Sequence, residues 1–160
     1  MIDPSELSRL HRCIELAKRA LENGHAPFGA VLAGADGRML AEDHNRAGSG
    51  DATLHPEFEL ARWAARELEP AERASSIVYT SGEHCPMCAA AHAMVGLGRI
   101  VYIVSSRQFE ACLDEFGRTS GPVRNLSIPD VAPGLTVEGP VPDLADEVLA
   151  LYRRCYHPGD

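Results

Sequence analysis

Two short segments constrain this chain more than anything else in it: His55-Pro56-Glu57 and Cys85-Pro86-Met87-Cys88. The second puts two thiols one turn apart at a predicted helix start, where the helix dipole and free backbone N–H groups favour thiolate. Such a pair suits a soft divalent metal. Catalytic zinc takes three protein ligands and leaves one position for water, so a third ligand, usually His, has to come from elsewhere. His55 is that ligand, because Glu57 two residues on has a different job: a carboxylate beside an acidified water accepts and relays its proton. The fold must therefore bring residue 55 beside residues 85 and 88. A Cys-x-x-Cys pair alone also fits a thiol oxidoreductase of thioredoxin type. A purely structural zinc site wants four protein ligands and has no use for Glu57.

The pattern around these segments describes the frame. Asp3 caps a first helix with Pro4 at its first position and Glu6 as the capping-box acid. Leu7, Leu10, Ile14, Ala17 and Leu21 recur at helical spacing before Gly24. Phe28 to Ala33 and Met39 to Ala41 flank an Asp36-Gly37 turn and read as antiparallel strands, and Asn45 to Ala52 reads as a loop. Phe58 to Leu68 is a second helix that Pro70 helps to end. Ile77-Val78-Tyr79 is a strand closed by a Ser81-Gly82 break, Pro86 opens a third helix, and Ile100 to Val104 is a fourth strand. Gly117 to Gly134 reads as irregular, with helical fragments before it. Leu135-Thr136-Val137 forms a fifth strand, and Leu144, Val148, Leu151 and Cys155 mark a last helix. This order implies an α/β fold, a three-layer α/β/α sandwich around a mixed five-stranded sheet. Sites in such sheets gather at the strand ends, where residues near 45, 55 and 85 lie.

Length and charge narrow the partners. The 160 residues fit one domain, 1–160. A net charge of −8 opposes tight binding to a polyanion and favours a small substrate over nucleic acid. No apolar run approaches the roughly 18 residues of a membrane span, and the first residues lack a signal-peptide pattern. Five cysteines, an odd number including one Cys-x-x-Cys, point to a reducing cytoplasm. Cys13, Cys112 and Cys155 read as packed thiols, His92 as a satisfied helix histidine, and Trp63 as core or subunit interface.

His-x-Glu followed by Cys-x-x-Cys is the signature of zinc nucleobase deaminases. Together with Pro27-Phe28-Gly29-Ala30-Val31, Asn45-Arg46 and Tyr79-Thr80-Ser81-Gly82-Glu83, it makes the chain resemble the cytidine deaminase-like superfamily, in its guanine, cytosine and tRNA adenosine deaminase branch. The resemblance implies bound Zn2+, Glu57 as proton shuttle, and Asn45 as a hydrogen-bond partner of the base, although Asn is also an ordinary turn residue. It implies Phe28 near the same pocket, Asp114 as an acid facing the substrate, Tyr156 as a lid residue and a homodimer. Guanine is the first expected substrate, with cytosine-type pyrimidines and amino-triazines next and tRNA adenosine as the alternative. Pro56 stands where the pattern has Ala, and His84 stands where it has Pro before the first Cys; both line the expected site.

Overall fold

The computed structural model describes residues 2–157; the two ends of the expected 1–160 domain, residue 1 and residues 158–160, lie outside the described residues. The chain runs α1 (Pro4–Glu22), β1 (Gly29–Ala33), β2 (Met39–His44), a 3-10 turn (Ala47–Ser49), α2 (Pro56–Glu67), α3 (Pro70–Ser75), β3 (Ile77–Gly82) and α4 (Pro86–Val95). It continues through β4 (Arg99–Val104), α5 (Ser106–Asp114), α6 (Ile128–Val131), β5 (Val137–Glu138) and α7 (Pro142–Tyr156).

The five strands form one sheet in the order β2-β1-β3-β4-β5. β1 is antiparallel to both β2 and β3, while β3, β4 and β5 run parallel, so the sheet is mixed as expected. Alternation along the strands divides the core into two layers. Val31, Ala33, Tyr79, Val101 and Ile103 face α1 and α7 in the larger cluster, with Leu10, Ile14, Val148 and Leu151. Their neighbours Ala30, Leu32 and Val78 pack with Leu60, Ala61 and Ala64 of α2, and Ile100 and Tyr102 pack with Ala89 of α4. β1 is buried along its whole length, and its first residue has to be glycine: a Cβ at Gly29 would run into the Cys13 carbonyl of α1.

Local expectations hold where local chemistry decides. Asp3 Oδ1 accepts from the N–H groups of Ser5 and Glu6, and Asp3 N–H donates to Glu6 Oε2, completing the capping box. Five elements differ from the sequence reading. Pro70 opens the short α3, where its missing N–H costs nothing, in addition to following α2. α2 starts at Pro56 for the same reason. Ser81 and Gly82 continue β3, because Ser81 Oγ accepts the Gly29 N–H across the sheet and Gly82 pairs with Val104 of β4. The stretch from Gly117 to Gly134 contains α6, and β5 covers only Val137–Glu138. Among the described residues no helix is long and apolar enough to cross a membrane.

Candidate metal centre and active site

α2 and α4 begin side by side, and they begin alike. Each has an extended N-cap residue, His55 (φ −88°, ψ 140°) or Cys85 (φ −65°, ψ 166°), followed by proline, and neither N-cap side chain caps its own helix. Both side chains are thus free to turn toward each other, and Cys88 joins them from the first turn of α4. His55 Nδ1 lies 3.5 Å from Cys85 Sγ and 3.7 Å from Cys88 Sγ, and the two sulfurs are 3.5 Å apart. A tetrahedral zinc with Zn–S of about 2.3 Å and Zn–N of about 2.0 Å has S···N edges of roughly 3.5 Å and an S···S edge of roughly 3.8 Å. The triad therefore has the chemistry and the spacing of three corners of a zinc tetrahedron, and it can hold a metal ion. The same spacing couples the protons: the Cys88 thiol, followed by His55, draws the Cys85 thiol down to about 4, and the resulting thiolate together with burial drives Cys88 well up.

Glu57 comes from the first turn of α2 and is 5% exposed. Burial is the largest influence on its carboxyl and raises it to about 7, against the lowering effects of Thr80 and His55. Its Oε2 is 3.9 Å from Cys88 Sγ. Thr80 Oγ1 lies 2.7 Å from Glu57 Oε1 and 3.0 Å from the Gly82 carbonyl oxygen, so its single hydrogen is shared between two acceptors. Thr80 was not legible as a site residue; nothing in its local sequence sets its hydroxyl apart from those of Tyr79 and Ser81 on the same strand.

Asn45 and Phe28 are joined just beyond the β1–β2 ladder, Asn45 N–H donating to Phe28 O at 3.0 Å. Asn45 is buried, and its Oδ1 accepts from Ala47 N–H, which is the turn role expected of Asn. Nδ2 makes no hydrogen bond among the described residues. Arg46 N–H donates to Leu54 O, tying this corner to the residue before His55. Tyr156 is partly buried on α7 with its ring centroid 5.8 Å from that of Phe109. Asp114 is exposed at the last turn of α5. His84 is 1% exposed with both ring nitrogens unpartnered among the described residues, so it is packed inside rather than spread along an open wall. Its ring meets that of His92 at 5.3 Å, and His92 Nε2 bonds Gly98 O at 2.8 Å. Glu83 accepts from the N–H groups of Ser106 and Ile128, at 2.8 Å each, and so fixes the starts of α5 and α6 beside the Cys85 loop.

Residues 5–104 match the family model of the cytidine and deoxycytidylate deaminase zinc-binding region. The chain belongs to this deaminase family. Its relatives include a probable cytosine deaminase of Schizosaccharomyces pombe, 26% identical over 66% of this chain and 64% of that protein. A guanine deaminase of Bacillus subtilis is 40% identical over 49% of this chain and 51% of its own length. A tRNA-specific adenosine deaminase of the same organism is 30% identical over 73% and 68%. The solved guanine deaminase of Nitrosomonas europaea shares the fold, with a TM-score of 0.69 at 22% identity over 98% of this chain and 86% of that one. The chain spans about half to two thirds of the length of these curated relatives. The deaminase family is zinc-binding by description, in agreement with the His/Cys/Cys donor set.

Proposed function

We propose that this chain is a zinc-dependent hydrolase that removes an exocyclic amine from a small nucleobase-like ring, guanine first and cytosine-type or amino-triazine rings next. The observation that carries this reading is a buried carboxyl, Glu57, beside three soft donors at tetrahedral spacing. His55 Nδ1 and the sulfurs of Cys85 and Cys88 hold the zinc, which when bound supplies the Lewis acidity that makes water nucleophilic at neutral pH. The reaction replaces C–NH2 by C=O and consumes one water per ammonia released. Glu57 manages the protons: its carboxylate, with a pKa raised to about 7, takes the two protons of the water in turn, delivering the first to the ring nitrogen and the second to departing ammonia. Thr80 fixes Oε1, leaving Oε2 to turn toward the reacting centre. Asn45 offers Nδ2 to an acceptor on the ring, Phe28 and Tyr156 border it, and Asp114 pairs with an amino group at its outer edge.

The second reading keeps the chemistry and changes the substrate to adenosine in tRNA. It is supported by the relative that overlaps 73% of the chain, and the net charge of −8 counts against it. A Cys85–Cys88 thiol oxidoreductase is the rival from another class; disulfide reductase activity in zinc-free protein is its signature. We read residues 1–160 as one deaminase domain working in the reducing cytoplasm, consistent with five free cysteines. We read it as a homodimer through the α4 side, where Met94 is 86% exposed. The test is ammonia release from guanine, cytosine, adenine, their nucleosides, an amino-triazine and tRNA, beside a Glu57→Ala control. Release abolished in the control supports the reading; release that survives in the control refutes it.

A further inference from the structure

The strongest unexplained group in the molecule is the hydroxyl of Tyr152. This residue of α7 is 0% exposed, and its Oη has no hydrogen-bond partner among the described residues. Its ring is already fully used: the centroid lies 5.3 Å from Phe28 and 5.0 Å from Phe109. Phenylalanine would make the same ring contacts. A buried tyrosine hydroxyl normally finds a partner, and one without a partner is a net cost to the fold.

The position of Oη shows where a partner would come from. A Cβ built on Gly82 would lie 2.7 Å from Oη and 2.9 Å from Phe28 Cε1, so the hydroxyl sits against the last residue of β3 in space that any larger residue at 82 would take. The Gly82 carbonyl oxygen is in turn 3.0 Å from Thr80 Oγ1, the group that holds Glu57. Glu57 is also among the charged groups that act on the phenol, after burial and Tyr156. Phe28, whose ring packs on that of Tyr152, is itself only partly buried and is bonded through its backbone to Asn45. Oη thus packs against the residue whose carbonyl shares the Thr80 hydroxyl with the proton-handling carboxyl, next to the ring of Phe28.

We propose that Tyr152 is a substrate-binding residue, its Oη hydrogen-bonding a heteroatom on the edge of the planar base that enters past Phe28. This rests on the deaminase reading above. Gly82 is then a specificity-determining position, because any side chain there would collide with Oη and with the Phe28 ring.

The test is Tyr152→Phe in zinc-loaded protein, with three readouts: melting temperature, steady-state kinetics on the best base of the panel, and calorimetric binding of that base to protein that also carries Glu57→Ala. We expect an unchanged or higher melting temperature, a KM raised about 10- to 100-fold with a smaller change in kcat, and base affinity weakened by a similar factor. Gly82→Ala, which crowds Oη without removing it, raises KM in the same direction. If the wild type turns over a base and Tyr152→Phe matches its KM and affinity within about twofold, the inference is overturned and the deaminase reading stands. If the wild type neither turns over nor binds any base of the panel, both are overturned.

Discussion

Helices α1 and α5 begin as isolated helices prefer to begin, with Asp3 or Ser105 accepting first-turn N–H groups and Glu6 or Gln108 returning the bond. α2 and α4 do not. Their N-cap residues are His55 and Cys85, proline follows each, and no side-chain cap is made. A cap is worth about 1 kcal/mol, so these two helix starts give up local stability in order to aim donors at a common point. The same division runs through the layers: the α1–α7 side is a large apolar cluster, whereas the α2–α4 side buries Glu57, His84 and His92. The metal donors and Glu57 thus come from the α2–α4 face of the sheet, with α2 and α4 held in place by packing.

The comparison can be broken most forcefully at Glu57. Its replacement by Gln is expected to lower deamination by about 10²- to 10⁴-fold while zinc content, measured by atomic emission, stays at the wild-type level. A loss of zinc in parallel would make the residue a ligand instead. Cys85→Ser comes next: zinc stoichiometry and activity fall, yet in the presence of chelator this variant melts no lower than chelated wild type, since serine at an N-cap restores the missing bond. A clear drop in the chelated state would mean that the thiol supports the helix start by itself.

Acid sharpens the contrast further. Burial lowers both His84 and His92 below the ordinary histidine value, His84 strongly. At these two residues the unfolded chain binds more protons than the folded one below about pH 6.5, so their contribution to stability is full above that value and is lost as pH falls through it, whereas Glu57, raised to about 7, contributes with the opposite sign. With Glu57 replaced by Gln, denaturant midpoints at pH 7.5 and 5.5 should show the decline, and adding His92→Gln, which keeps a donor for the Gly98 carbonyl, should lessen it. The smallest effect belongs to the conventional helix start: Ser105→Ala should cost about 1 kcal/mol in chemical denaturation and leave kcat/KM unchanged. A kinetic defect there would show that α5 is coupled to the site.

Much of this was legible locally. The Asp3–Glu6 box, the helical spacing from Leu7 to Leu21 and the Pro86 helix start involve groups a few residues apart, so sequence spacing alone describes them. The metal triad and Glu57 were readable because ligand chemistry restricts the residue types allowed. The rest depended on partners distant in the chain. Ser81 and Gly82 looked like a break until Gly29 and β4 supplied their pairing, and Pro70 looked like a stop although its own following residues make α3. The exposure of Asp114 at the end of α5 likewise follows from how that helix packs, because nothing in its local pattern sets the direction of the helix face.

By itself, then, the sequence determined the donor set, the carboxyl that lies beside it, the first helix and the alternation of strands and helices, because each follows from residue type and short spacing. Tertiary structure alone decided that Thr80 would hold Glu57, that His84 would be buried beside His92, and that the Tyr152 hydroxyl would come to rest against Gly82. Those contacts join residues far apart in the chain across a twisted sheet, where register and packing, rather than any local preference, set which atoms meet.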